Sequence, residues 1–254
     1  MRHVPTLVRR ELGAYFLAPM AFLILLAFQV MAWLNFWGLV DGLSRPQTSL
    51  SGRFEPLNMY ISHSTPFWIS ILFAVPALTM RLLAEERRSG TIEGLLTVPV
   101  TETEVVVSKW LAGVVMYLVL LLPFLVYLPF LYFQGRYPFD TGPVASLILG
   151  LTTRGRMFVS IGVFFSAQTR NQILAAIWTS VVLLLVIVLT LLVYHYASER
   201  QAAWAAGVRF VSPLYQAQEF GAGKLDLRYL TLHLSVTAFM LYLTVKTLDT
   251  RRSG

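Results

Sequence analysis

The chain has 254 residues, of which 56% are hydrophobic and 13% charged, with no cysteine. A soluble domain carries about 25% charged residues, so a mean hydropathy of +0.65 excludes an ordinary soluble enzyme and a disordered chain, and the missing thiols exclude disulfides and thiolate metal sites. The net charge of +7, from 20 basic and 13 acidic residues, fits basic loops beside anionic lipid better than a nucleic-acid partner.

Residues 1–16 read as an interfacial helix. At 100° per residue Val4, Leu7, Val8, Leu12, Tyr15 and Phe16 cluster on one side, with Thr6, Arg9, Arg10 and Gly13 opposite. Glu11 falls on the apolar side, which implies either an ion pair with a nearby arginine or contact with a partner protein. The apolar run that follows is too long, and too poor in small residues at its end, for a cleaved signal peptide.

A helix needs about 20 mainly apolar residues to cross the hydrocarbon core. Six stretches qualify: Met20 to Val40, Thr65 to Leu83, Val105 to Phe133, Pro143 to Ala167, Ile173 to Tyr194 and Tyr229 to Leu248. Pro76, Pro123 and Pro129 are tolerated within them because neighbouring helices re-satisfy the freed carbonyls. Six spans put both termini on one side. That side holds eleven basic residues close to helix ends, Lys109 among them, against seven on the other, so both termini are expected in the cytoplasm.

The loop at 84–100 carries the densest charge. It begins Ala84-Glu85-Glu86-Arg87-Arg88-Ser89-Gly90-Thr91, and its later part is amphipathic, with Ile92, Leu95 and Leu96 on one helical face. Gly90 and Pro99 can bracket a short helix. Thr101 and Glu104 form a capping box that opens the third span. The loop is therefore expected to be a rigid lever rather than a tether. In the fourth span Arg154 and Arg156 stand near mid-membrane, about 200° apart on a helix, so they cannot face one groove. No acidic residue lies in the core of any span to pair with them. They read either as a polar cavity for an anionic substrate or lipid headgroup, or as a broken helix with snorkelling side chains. Residues 197–228 are too apolar for a free loop and too short for two more spans; one or two helices that dip into the outer leaflet or cap the bundle are expected.

Catalytic signatures are missing. There is no phosphate-binding G-x-x-x-x-G-K-[ST] loop, no H-E-x-x-H and no G-x-S-x-G. Neither a metal nor a cofactor is expected on this chain. An intramembrane serine enzyme would need His233 to face Ser160 or Ser166.

The run from Thr79 to Lys109, with Glu85-Glu86-Arg87-Arg88-Ser89-Gly90-Thr91-Ile92-Glu93-Gly94 and Pro99, resembles the hallmark segment of ABC-2 type permeases, the membrane subunits of ATP-binding-cassette exporters of the type V fold. Arg10-Glu11-Leu12 with Tyr15-Phe16, the turn Phe165 to Ile173, and Val211-Ser212-Pro213 to Asp226 agree with its gliding-motility-associated group. The resemblance implies a single all-α transmembrane domain over residues 1–254, with an elbow helix at 1–16, a coupling-helix loop at 84–100 and an outer re-entrant segment at 197–228. It implies that a helix from about Glu85 to Leu96 docks on a separate cytoplasmic ABC ATPase dimer, which binds ATP and Mg. Glu85, Glu86, Arg87, Arg88, Ser89, Gly90, Thr91, Glu93 and Pro99 would face that partner, Arg10 and Glu11 would belong to the elbow, and Arg154 and Arg156 to the pathway. It further implies a second permease subunit, identical or not, in a bacterial inner membrane. The chain would be a transport subunit rather than an enzyme. A non-transporting anchor that drives an envelope or motility partner is the alternative.

Overall fold

The computed structural model describes residues 3–44, 60–61, 64–90, 101–134, 141–199 and 204–252. Ten helices and no strand occur among the described residues: α1 (Val4–Leu17), α2 (Pro19–Ser44), α3 (Thr65–Thr79), α4 (Arg81–Ser89), α5 (Glu102–Gln134), α6 (Thr141–Gln168), α7 (Gln172–Glu199), α8 (Ala205–Val211), α9 (Pro213–Gly221) and α10 (Leu227–Arg252). Six segments are long and apolar enough to cross a membrane: Pro19–Asp41, Thr65–Ser89, Glu102–Pro129, Gly142–Gln168, Gln172–Val193 and Leu227–Thr250. Each coincides with one of the six stretches expected from hydropathy; the third expected stretch runs four residues past its segment and the fifth runs one residue past. The chain is thus an all-helical, multi-pass membrane protein.

The spans are not equivalent. The apolar window of α6 is 72% buried, whereas those of α7 and α10 are 11% and 17% buried. Helix α6 is the axis of the bundle, and α2, α7 and α10 turn most of their apolar surface outward, as lipid-facing helices do. Three glycines of α6 permit the close packing. A Cβ on Gly155 would stand 1.9 Å from Cε1 of Tyr117 in α5, one on Gly162 would stand 2.1 Å from Oγ1 of Thr79 in α3, and one on Gly150 would stand 2.5 Å from Phe220 in α9. Without a hydrophobic drive between helices in lipid, such small-residue contacts are a main source of their association.

Side-chain caps set the ends. Ser64 accepts the Phe67 N–H at 3.1 Å and so opens α3, while its own hydroxyl donates to Asn35 of α2. The expected capping box opens α5: the Glu104 N–H donates to Thr101 Oγ1, and the Thr101 N–H to Glu104 Oε2, both at 3.3 Å. Gln168 of α6 donates to Thr247 of α10 at 3.3 Å, which brings the C-terminal ends of those helices together. At the opposite end lie two short helices within 197–228, where one or two were expected: α9 packs against α6 and α8 against α7.

Candidate functional site

The α3–α4 junction is where the charged loop begins, and three neighbouring helices build it. Pro76 lacks an N–H, and the helical assignment breaks for one residue at Met80 before α4 resumes. Ser166, near the end of α6, enters this break. Its Oγ accepts the Leu83 N–H at 3.0 Å and the Ala84 N–H at 3.1 Å, and donates to the Met80 carbonyl at 2.9 Å. In an unbroken helix the Ala84 N–H would bond that same Met80 carbonyl. A hydroxyl from α6 thus shares these backbone groups at the break between α3 and α4, and a side chain inserted at such a point is one of the few recognised causes of a helix bend.

Helix α1 holds the other side of the junction. The Tyr15 hydroxyl donates to the Leu78 carbonyl at 2.5 Å, and Arg81 lies over the Tyr15 ring at 4.5 Å while donating to the Ala14 carbonyl at 3.0 Å. Burial pushes the Tyr15 pKa up, although the nearby Arg81 charge opposes this, so the hydroxyl stays protonated as a donor.

Further along α4, Glu86 meets Lys109 of α5 at 2.9 Å and Arg10 of α1 at 3.3 Å. Glu11 completes the network, 3.2 Å from Lys109 and 3.1 Å from Arg10. The Lys109 side chain is 2% exposed and that of Arg10 54% exposed. Lys109 is therefore the interior node, where a lost partner costs about 3–5 kcal/mol, while the Arg10 contacts are screened and worth about 1 kcal/mol or less. A cavity of about 260 Å³ lies beside the network, between α1 and α4. On the α6 side, Arg87 donates to the Ala167 carbonyl. Helix α4 is thus tied to α1, α5 and α6 within nine residues.

These contacts revise several sequence expectations. Glu85 to Ser89 continue the second span as α4 rather than opening a separate helix. A helix running unbroken from Glu85 to Leu96 is not formed, because Gly90 ends α4 with a left-handed backbone at φ 72°, a conformation only glycine adopts readily. Glu85, Arg88, Ser89 and Gly90 are exposed, and Glu86 and Arg87 are partly buried. Thr91, Glu93 and Pro99 lie outside the described residues. Glu11 makes its ion pair with the adjacent Arg10, as one reading expected, but equally with Lys109, which is a buried ion-pair partner rather than a simple topology charge. Ser166, Lys109 and Arg81 were not among the expected site residues. The depth of Lys109 in an apolar helix and the misplaced Glu11 were the two halves of a findable signal; Ser166 had none.

The two arginines of α6 separate as the 200° angle requires. Arg156 is partly buried, and its carbonyl accepts the Trp110 indole N–H at 3.1 Å. Arg154 is 3% exposed at the midpoint of an unbroken α6, so the broken-helix reading is not what the chain adopts. Its guanidinium lies over the Trp68 ring at 5.5 Å, and none of its three nitrogens has a hydrogen-bond partner among the described residues. A charge at this depth costs about 2.5–3.5 kcal/mol on insertion scales, and a stacked aromatic returns about 1–2 kcal/mol of it.

The serine-enzyme geometry is absent among the described residues. His233 lies between Thr153 Oγ1 at 3.1 Å and Gln216 Oε1 at 2.9 Å, Ser160 donates to the Met157 carbonyl at 2.7 Å, and Ser166 is committed to the junction. No group of three potential metal ligands occurs among the described residues.

The fold and the charged helix braced at one end of its bundle define a helical, multi-pass membrane protein. Residues 42–244 match the family of ABC-2 family transporter proteins, so the chain belongs to that family and is the membrane component of an ABC transporter, the kind of permease that works with a cytoplasmic ABC ATPase. A comparison with curated proteins returns no match.

Proposed function

We propose that the chain is the permease subunit of an ABC exporter in a bacterial inner membrane, with both termini in the cytoplasm and α4 as the element that carries ATPase motion into the spans. The bracing of α4 against three other helices supports this most directly. An isolated nine-residue helix is not stable in water; this one is held by Ser166, Lys109 and Arg10, so a push on its tip is transmitted to α6, α5 and α1 together. Gly90 ends it at an exposed tip that carries Arg88, next to the segment 91–100. A partner ATPase that binds two positions of this tip with different affinity shifts the bundle between two arrangements. Two six-span subunits would enclose the path, with α1 as the elbow in the headgroup layer and α8–α9 as the outer cap. The gliding-type likeness of the elbow and turn segments keeps a second reading, a driven anchor without a solute.

The test is association with the cytoplasmic ABC ATPase that this family implies as partner. Charge reversal at Arg88 or Glu93 should reduce co-purification of the ATPase while leaving the monodisperse detergent-purified permease intact. Co-purification at the wild-type level in both variants would remove α4 and its loop from the interface.

A further inference from the structure

We infer that Arg154 is the recognition group for the anionic headgroup of an amphiphilic ligand, covered in the conformation seen here. Resting on the permease reading for its direction, the inference names the class of molecule moved: a phosphate or carboxylate carried on an apolar chain.

Arg154 is out of balance with its surroundings. Arg154 stays protonated in nearly any environment and presents a planar set of donors that matches a carboxylate or phosphate two bonds at a time. Buried polar groups in folded proteins are paired in the great majority, and each exception calls for an explanation. Here, among the described residues, all three nitrogens are without a hydrogen-bond partner and no ion pair involves this residue. The helix could have hidden an apolar side chain at the same place. Ser146, two turns earlier on α6 and 2% exposed, also leaves its hydroxyl without a partner among the described residues. Two unmatched donors thus lie on the most buried helix of the bundle.

The surroundings define the rest of the ligand. Trp68 covers the guanidinium from α3, and Tyr117 of α5 packs flat on the adjacent Gly155. Leu151 and Phe158, a turn to either side of Arg154, are both buried. A molecule that reaches this charge therefore places much of itself against aromatic and aliphatic side chains. A small hydrated anion gains nothing from those walls, whereas an acyl or alkyl chain does. Trp68 covers this charge from α3, so separation of α3 from α6 is the movement that opens the site. Ser166 ties α6 to the α3–α4 junction, just past the end of α3.

The test uses the full chain purified in neutral detergent, with thermal unfolding followed in the presence of dodecyl phosphate, dodecylphosphocholine or inorganic phosphate. Dodecyl phosphate at a hundredfold excess over its Kd should raise the Tm of the wild-type chain by about 5 °C. Dodecylphosphocholine, whose phosphate is neutralised, and inorganic phosphate, which has no chain, should leave it unchanged. Arg154→Leu should unfold at or above the wild-type Tm without ligand, because an unmatched charge has been removed, and should lose the response. Arg154→Lys, which keeps the charge but not the fork, should respond weakly. Equal shifts in wild type and Arg154→Leu would place binding elsewhere and overturn the inference. So would the absence of any shift, or an Arg154→Leu chain that unfolds well below wild type, which would make the arginine a structural residue. An Arg154-dependent response to inorganic phosphate would overturn the amphiphile and leave a site for a free anion. None of these arms needs an ATPase, so failure here leaves the coupling role of α4 standing, and failure of that role leaves this binding measurable.

Discussion

Replacing Ser166 by alanine tests the hinge at the base of α4. The substitution removes one hydroxyl that serves two backbone N–H groups and one carbonyl. A buried polar group left unmatched costs about 1–3 kcal/mol, so three orphaned groups would together unfold a marginal protein. They need not stay orphaned. With the hydroxyl gone, Leu83 and Ala84 can reach the carbonyls of Thr79 and Met80 four residues back, and the ladder closes. The net loss then falls to about 1–2 kcal/mol, and the bend relaxes with it. Arg88 lies eight residues beyond Met80, about 12 Å along the helix, so relief of a bend of about 20° moves it by about 4 Å. Because the chain has no cysteine, spin labels on Phe73→Cys and Arg88→Cys report this distance without background. Pulsed electron paramagnetic resonance should show the distribution displaced by several ångströms in the Ser166→Ala chain, with a matching loss of stability in detergent. An unchanged distance together with unchanged stability would refute the idea that this hydroxyl holds the helix open.

Two further predictions concern the bracing. Lys109→Met should destabilise the purified chain by about 3 kcal/mol in a denaturation series, because Glu11 and Glu86 keep only the screened Arg10; Arg10→Ala, touching the same two carboxylates, should change stability by about 1 kcal/mol or less. Similar losses in the two variants would mean that burial does not rank these cations. Gly155→Ala should cost about 1–3 kcal/mol despite the better helix propensity of alanine, since its methyl would overlap the buried Tyr117 ring; a smaller side chain at 117 should restore part of the loss, and a Gly155→Ala chain as stable as wild type would deny the α5–α6 contact.

The spans were legible because each is a long apolar run, and the cap of α5 was legible because Thr101 and Glu104 act locally, three residues apart. The α4 brace was not, because its contacts join residues far apart in the chain: Ser166 with Leu83, Lys109 with Glu11, Tyr15 with Leu78. A serine inside an apolar helix usually bonds its own helix, as Ser160 does with Met157, and nothing in the sequence separates Ser166 from that behaviour. Lys109 looked like one of the basic residues at a helix end because hydropathy counts charges by position along the chain, not by which side of the helix meets a carboxylate. Arg154 and Arg156 were legible as a problem, and the 200° between them foretold that they could not share one groove; the sequence could not say which would be buried.

The central claim is that the α4 tip meets the ATPase. A cysteine at position 88, made as Arg88→Cys in this cysteine-free chain, should cross-link to the neighbouring ATPase in membranes, with a yield that changes when nucleotide is added. A cysteine made as Trp204→Cys, beside α8 at the other end of the bundle, should not. Cross-linking from position 204 but not from position 88 would contradict both the placement of α4 in the cytoplasm and its role as the lever.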